Sequence, residues 1–209
     1  GAGPPAKRRA LAATHGEARL HAMSDKPPAA DHEVDFTEPV PLAAITPEAQ
    51  ERAKRAAITG APLLEKVGYF LSLDRRTGER REPGHGGRYS ILVVEDDADL
   101  AQLLIDVFMN AGHDVRWAAN GAEINKELRH GGIDLVLLDI VLPDADGLQV
   151  LGRIRVHPRL SELPVIMMTG KVAPEDVLAG LAAGADGYVT KPFKVSALVS
   201  AVNVVLGIE

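Results

Sequence analysis

Residues 133–147 read Ile-Asp-Leu-Val-Leu-Leu-Asp-Ile-Val-Leu-Pro-Asp-Ala-Asp-Gly. Ile133–Leu138 is apolar except at Asp134, the pattern of a strand covered on both faces rather than on one. The run stops at Asp139 and gives way to a loop rich in Pro and Asp. Asp146 there reads as a helix cap, with Leu148, Leu151 and Ile154 following at helical spacing. An apolar strand that ends on an acid and leads through a short loop into a helix is one unit of an alternating strand–helix chain.

The same unit recurs on both sides. Ile91–Val94 precedes Leu100, Leu103, Leu104, Val107 and Phe108 at helical spacing, stopped by Gly112. Val115–Ala118 precedes a short helix at Ala122–Leu128 that ends at Gly131-Gly132. Pro164–Met168 precedes Val177–Leu181, and Tyr188–Thr190 precedes Val195–Leu206. Five such units predict an α/β fold, a five-stranded parallel doubly wound sheet with helices on both faces. Ligands of such sheets bind at the carboxyl ends of the strands.

The composition divides the chain. The 209 residues contain no Cys, which excludes disulfides, thiol catalysis and Cys-ligated metal sites and fits a reducing, cytoplasmic compartment. No stretch reaches the ~18–20 apolar residues of a membrane span, and the N-terminus lacks the apolar run of a secretory signal. Residues 1–88 hold 14 Lys/Arg and 12 Asp/Glu, a net of +2, whereas residues 89–209 hold 9 and 17, a net of −8. Pro83-Gly84-His85-Gly86-Gly87 marks the boundary, so 83–88 is expected to be a linker and 89–209 a domain.

At the expected carboxyl ends stand Glu95-Asp96-Asp97, Asp139, Thr169 and Lys191. Clustered carboxylates repel one another unless a cation neutralises them. An all-oxygen set with few protein ligands suits Mg²⁺, which keeps several waters and leaves room for a phosphoryl oxygen. Lys191 supplies a point charge and Thr169 a hydroxyl for the equatorial oxygens of a phosphoryl group. The chemistry implied is phosphoryl transfer onto a carboxylate.

Residues 89–209 resemble a response-regulator receiver domain of two-component signalling, through LVVEDD, LLDIVLPDADG, MMTG and GYVTKPF in the family's order. The resemblance implies the flavodoxin-like strand order 2-1-3-4-5. It makes Asp139 the phosphoacceptor, fed by a histidine kinase or phosphotransfer protein. Mg²⁺ would be held by Asp96, by Asp139, by the Val141 carbonyl, and by Glu95 through water. Thr169 becomes the switch hydroxyl, Lys191 the phosphate partner, Tyr188 the aromatic that changes rotamer, and Lys191–Pro192 a cis peptide. Glu95 is longer than the Asp often found at its position.

Plainer roles suit several neighbours. Asp97 reads as an N-cap, Lys171 as a solvated loop residue and Trp117 as packing on the second strand. The seven His show no metal-ligand spacing. An aspartate-nucleophile phosphatase would place a second Asp two residues after the nucleophile, but Val141 stands there. The expectation is therefore a phosphoacceptor that assists its own phosphorylation and slow dephosphorylation, and not an enzyme.

The chain ends with the last helix, so output is expected from the N-terminal part, a dimer or a target protein. VSALVSAVNVVLGIE is apolar around too much of its circumference for a solvated helix. The expectation is that the face formed by the fourth helix, fifth strand and last helix of 89–209 is covered, by the N-terminal segment, a second copy or a target. Residues 1–45 are expected to be an extension that is disordered in isolation or ordered by a partner, with Met23 a plausible native start. Residues 46–82 read as helical, with Thr46 as N-cap and Pro47 at N1. The continuation at 61–73 reads as a second helix, giving an αα-hairpin, or as a helix running into a strand. Arg75, Arg76, Arg80, Arg81 and Arg88 form a basic run without interleaved aromatics, so nucleic acid is disfavoured as a partner. Two alternatives stand beside the main reading. The basic segment could contact nucleic acid, or the domain could be a pseudo-receiver that binds without phosphorylation.

Overall fold

The computed structural model describes residues 34–40, 47–72, 82–83, 87–170 and 174–208. Its elements are α1 (Pro47–Val67), β1 (Tyr69–Leu71), β2 (Ser90–Val94), α2 (Ala98–Asn110), β3 (Asp114–Ala118), α3 (Gly121–His130), β4 (Leu135–Asp139), α4 (Gly147–Val156), β5 (Val165–Thr169), α5 (Pro174–Ala183), β6 (Gly187–Thr190) and α6 (Val195–Leu206). The sheet has six strands in the order β1-β6-β5-β4-β2-β3. Strands β2–β6 are parallel and form the expected five-stranded core. Their ladders run Ile91↔Leu135, Val136↔Val165 and Ile166↔Gly187.

The sixth strand corrects the five-strand expectation. Tyr69-Phe70-Leu71 pairs antiparallel with β6, with Phe70 opposite Tyr188. The Thr190 N–H donates to the Gly68 carbonyl at 3.1 Å, and the Ser72 N–H donates to the Asp186 carbonyl at 2.8 Å. A parallel sheet otherwise leaves a row of unpaired backbone groups at this edge.

Every β4 residue is buried, as an apolar strand with helices on both sides requires. Alternate side chains feed two cores. Leu92, Val94, Val136, Leu138, Val165 and Met167 face the layer of α3, α4 and α5. Ile91, Val93, Leu135, Leu137, Ile166 and Met168 pack with α2 and α6.

Among the described residues, the N-terminal segment takes the second of its two expected forms, a helix running into a strand, and not the αα-hairpin. Residues 47–67 form one helix that runs through Pro62, ends at Gly68 in the left-handed region (φ 81°), and passes straight into β1. It lies along α5. Its inward stripe is Ala56, Gly60 and Leu64, spaced by four residues, with Gly60 against the Phe70 ring. Leu63 and Val67, apolar at helical spacing, instead face solvent. Of the 1–45 stretch, residues 34–40 are packed on the domain, with Phe36 1% exposed. Thr46, Met23, Arg75–Arg81, Lys171 and Gly84–Gly86 of the expected linker lie outside the described residues.

The apolar α6 is largely accounted for. Ala197, Leu198, Ala201, Val202, Val205 and Leu206 are buried, and Tyr69 and Leu71 of β1 pack into the same core. Val195 and Val204 remain outside, at 38% and 48% exposure.

Candidate functional site

The carboxyl ends of β2, β4, β5 and β6 bring the acids, the hydroxyl and the lysine to one rim. Glu95 follows β2 and is 1% exposed, Asp139 ends β4, and Thr169 is buried at the end of β5. Lys191 follows β6, and its Nζ donates to Glu95 Oε2 at 2.6 Å and to Asp139 Oδ2 at 2.7 Å. One carboxylate oxygen from each of Glu95, Asp96 and Asp139 falls within 4.8 Å of the others. Three hard oxygen donors with an exposed member, Asp96, suit a small divalent cation that retains water.

Local sequence explains how these groups are held. Asp97 caps α2 by accepting from the N–H groups of Asp99 and Leu100, which leaves buried Glu95 and exposed Asp96 as the acids of the turn that group with Asp139. Asp146 caps α4, accepting from the Leu148 N–H at 2.8 Å. Gly147 then lies directly against the Asp139 carbonyl, where any β-carbon would collide with backbone. The Val141 N–H donates to Asp139 Oδ1 at 3.2 Å. The Lys191 N–H donates to the Thr169 carbonyl at 2.7 Å, and the Lys191–Pro192 peptide is cis.

The electrostatics oppose one another. Burial pushes the Glu95 carboxyl above its ordinary value, against the hydrogen bond and charge of Lys191. Burial alone would lower the Lys191 ammonium, but hydrogen bonds to Asp139 and Glu95 outweigh it and hold the group above the ordinary lysine value. Lys191 is thus a fixed cation between two acids.

Tyr188 is fully buried. Its hydroxyl occupies the space beside Gly180 of α5 where a β-carbon would stand. Trp117 corrects the packing expectation. It is 40% exposed, and its indole Nε1–H donates to the Glu95 carbonyl at 2.8 Å, holding the acidic turn from outside. The register Val93↔Trp117 puts it beside the end of β2, a neighbour that the strand alternation of a single segment does not reveal. The roles of Gly147 and Gly180 are not legible in the sequence, because these glycines admit atoms remote along the chain.

A parallel five-stranded core with three acids, a threonine and a lysine on its carboxyl rim is the fold and residue set of a receiver-type domain. The response regulator receiver domain family model matches residues 91–203, and the chain belongs to that family. It is 38% identical over 117 residues to the transcriptional regulatory protein GltR of Pseudomonas aeruginosa, covering 56% of this chain and 48% of the relative. It is 40% identical over 116 residues to the DNA-binding response regulator MtrA of Mycobacterium tuberculosis, covering 56% and 50%. The chain therefore spans about half the length of these curated relatives. Among solved structures, the Vibrio cholerae chemotaxis protein CheY4 matches with TM-score 0.54 and 27% identity, covering 57% of this chain and 99% of that one. The receiver domain of a Syntrophus aciditrophicus signal transduction histidine kinase matches with TM-score 0.54 and 33% identity, covering 57% and 90%. With relatives named as DNA-binding, the expectation that nucleic acid is disfavoured gains no support. Among the described residues, no helix is long and apolar enough to cross a membrane.

Proposed function

We propose that the chain is a cytoplasmic phosphorylation switch that accepts a phosphoryl group on Asp139. The observation that carries this reading is the Lys191 ammonium within 2.7 Å of both Glu95 and Asp139, with Asp96 alongside. An Asp139 carboxylate oxygen attacks phosphorus in a phosphohistidine donor on a kinase or phosphotransfer protein. The O–P bond forms as the N–P bond breaks, and the electron pair leaves on the imidazole nitrogen. Asp96, Asp139, the Val141 carbonyl and Glu95 through water would hold Mg²⁺, which supplies charge neutralisation at the phosphoryl oxygens. Lys191 binds one of those oxygens and Thr169 donates its hydroxyl to another.

No carboxylate or imidazole stands two residues beyond Asp139 to activate water, which favours a long-lived acyl phosphate over turnover. Movement of Thr169 and Tyr188 then shifts the α5–β6–α6 face between two populations. Residues 47–72 already cover part of that face, which supports a role for the N-terminal segment as its regulator. A homodimer or a target protein would use the same face.

The test is labelling by acetyl phosphate with Mg²⁺, read by intact mass. The chain should gain one phosphoryl group, and Asp139→Ala should gain none while remaining folded. Labelling that survives the substitution removes the assignment.

A further inference from the structure

Residues 34–40, Val-Asp-Phe-Thr-Glu-Pro-Val, lie across α3 and α4, and the domain grips them chiefly by their backbone. Asn125 of α3 accepts from the Phe36 N–H at 2.7 Å and donates to Asp35 Oδ1 at 2.9 Å. Arg129 donates twice to the Val34 carbonyl, at 3.1 and 2.7 Å. Arg153 of α4 donates to the Glu38 carbonyl at 2.8 Å, to the Glu38 carboxylate at 3.0 Å and to the Pro39 carbonyl at 3.2 Å. The fully buried apolar anchor is Phe36, sunk into the core with its ring centroid 5.4 Å from that of His157, while Val34 packs at the edge of the same core and Val40 lies beside Gly152 of α4.

The segment is also preformed for this fit. The Thr37 N–H and hydroxyl both donate to Asp35 Oδ1, at 2.9 and 2.6 Å. Together with Asn125 they hold the Asp35 carboxyl down to about 2. Residues 35–38 form a turn, with the Glu38 N–H donating to the Asp35 carbonyl at 3.4 Å, so the surface holds a turned peptide by main-chain hydrogen bonds and one buried aromatic side chain, the division between affinity and specificity common in peptide recognition.

We propose that the α3–α4 groove is a peptide-binding site for an acidic segment with one aromatic anchor. In this chain residues 34–40 fill it and so tether α1 and β1 over α5 and β6. Only residues 41–46 separate Val40 from Pro47. So short a connection makes docking of α1 an intramolecular event at high effective concentration. The groove also adjoins the rim. The Thr37 methyl lies against Gly121 at the start of α3, and the Gly121 N–H donates to Asp144, in the loop after Asp139, at 3.0 and 3.1 Å. The groove stands on its own geometry and does not rest on phosphorylation of Asp139.

The test uses the full chain and a fluorescein-labelled peptide of residues 34–40. Phe36→Ala should vacate the groove, so that the chain binds the peptide at least tenfold more tightly than wild type does. The same substitution should raise amide exchange of Tyr69–Leu71 at least tenfold while exchange in β2 and β4 stays unchanged. Asn125→Ala, which removes polar contacts without touching the core, should raise exchange in the same segment. A folded Phe36→Ala chain that binds no peptide overturns the proposal, as does equal binding by wild type. Unchanged exchange of β1 in both variants also overturns it. Beryllofluoride with Mg²⁺ on the wild-type chain separately probes the Asp139 reading; a null result there leaves the groove assignment untouched.

Discussion

The Tyr188 hydroxyl sits where a β-carbon on Gly180 would have to be. Any side chain at 180 must therefore push the ring from its buried place between α5 and the sheet. Gly180→Ala should cost about 1–3 kcal/mol, the usual range for overpacking a filled core. The same substitution in a Tyr188→Ala background should cost far less, because its obstacle has gone. A double-mutant cycle from urea unfolding measures the coupling, and additive costs would refute the packing argument.

Lys191 is the cation that makes two buried acids tolerable at neutral pH. Lys191→Met should lower stability when Mg²⁺ is chelated, and the loss should be larger at pH 8 than at pH 5. The sign follows from Glu95, which burial already pushes upward. Without the ammonium the folded state binds protons more readily than the unfolded one, so stability rises as pH falls. Unfolding curves at the two pH values in EDTA check this. A deficit that is the same at both would argue against the electrostatic role.

Trp117 is the single tryptophan of the chain, and its indole holds the Glu95 carbonyl. Its emission should change when Mg²⁺ or beryllofluoride with Mg²⁺ is added, because the acidic turn is where the cation would bind. Trp117→Phe keeps the ring but loses the 2.8 Å hydrogen bond, and should weaken Mg²⁺ binding severalfold by calorimetry. Emission that stays constant while calorimetry registers binding would separate Trp117 from the site.

Arg155 and Asp186 form a buried pair at 2.9 Å. Arg155 also donates to the Leu163 and Gly184 carbonyls at 2.6 and 2.8 Å, while Asp186 accepts from the Val165 N–H at 2.9 Å. Together they tie α4 to the start of β5 and to the turn before β6. Arg155→Ala leaves a buried carboxylate without its cation and should cost about 3–5 kcal/mol. A loss under 1 kcal/mol in chemical denaturation, small for a buried pair, would refute this.

Burial pulls His157 below the ordinary histidine value. With the folded value below the unfolded one, the unfolded chain takes up protons first as pH drops past about 6.5. The stability present above that point is lost progressively below it, by up to about 1.4 kcal/mol per pH unit for one group. His113, also lowered by burial, acts in the same direction. The stability difference between wild type and His157→Phe should therefore shift against wild type between pH 7 and pH 5. A difference independent of pH would exclude His157 as the source.

The sequence by itself determined the alternating fold and the members of the rim. Period-2 and period-3.6 patterns are local, so Ile133–Leu138 announces a doubly covered strand and Leu148, Leu151 and Ile154 a helix without reference to the rest of the chain. Strand ends follow from the same patterns, which is why Glu95, Asp96, Asp139, Thr169 and Lys191 could be gathered before any contact was known. Asp97 and Asp146 as caps were legible for the same reason, since a cap bonds to N–H groups two or three residues away.

Tertiary structure alone decided what lies between distant segments. Tyr69–Leu71 could continue a helix or begin a strand, and the open edge of β6, far along the chain, settles it as a strand. Trp117 suits core packing by composition, but hydrogen bonding to Glu95 across neighbouring strands turns it to the rim. Gly147 and Gly180 matter for atoms of Asp139 and Tyr188 that approach them in space. Phe36 stands among Asp, Thr, Glu and Pro, a composition too polar to form a core of its own. It becomes a core residue because it packs into the core beneath α3 and α4, where Asn125, Arg129 and Arg153 satisfy the backbone around it.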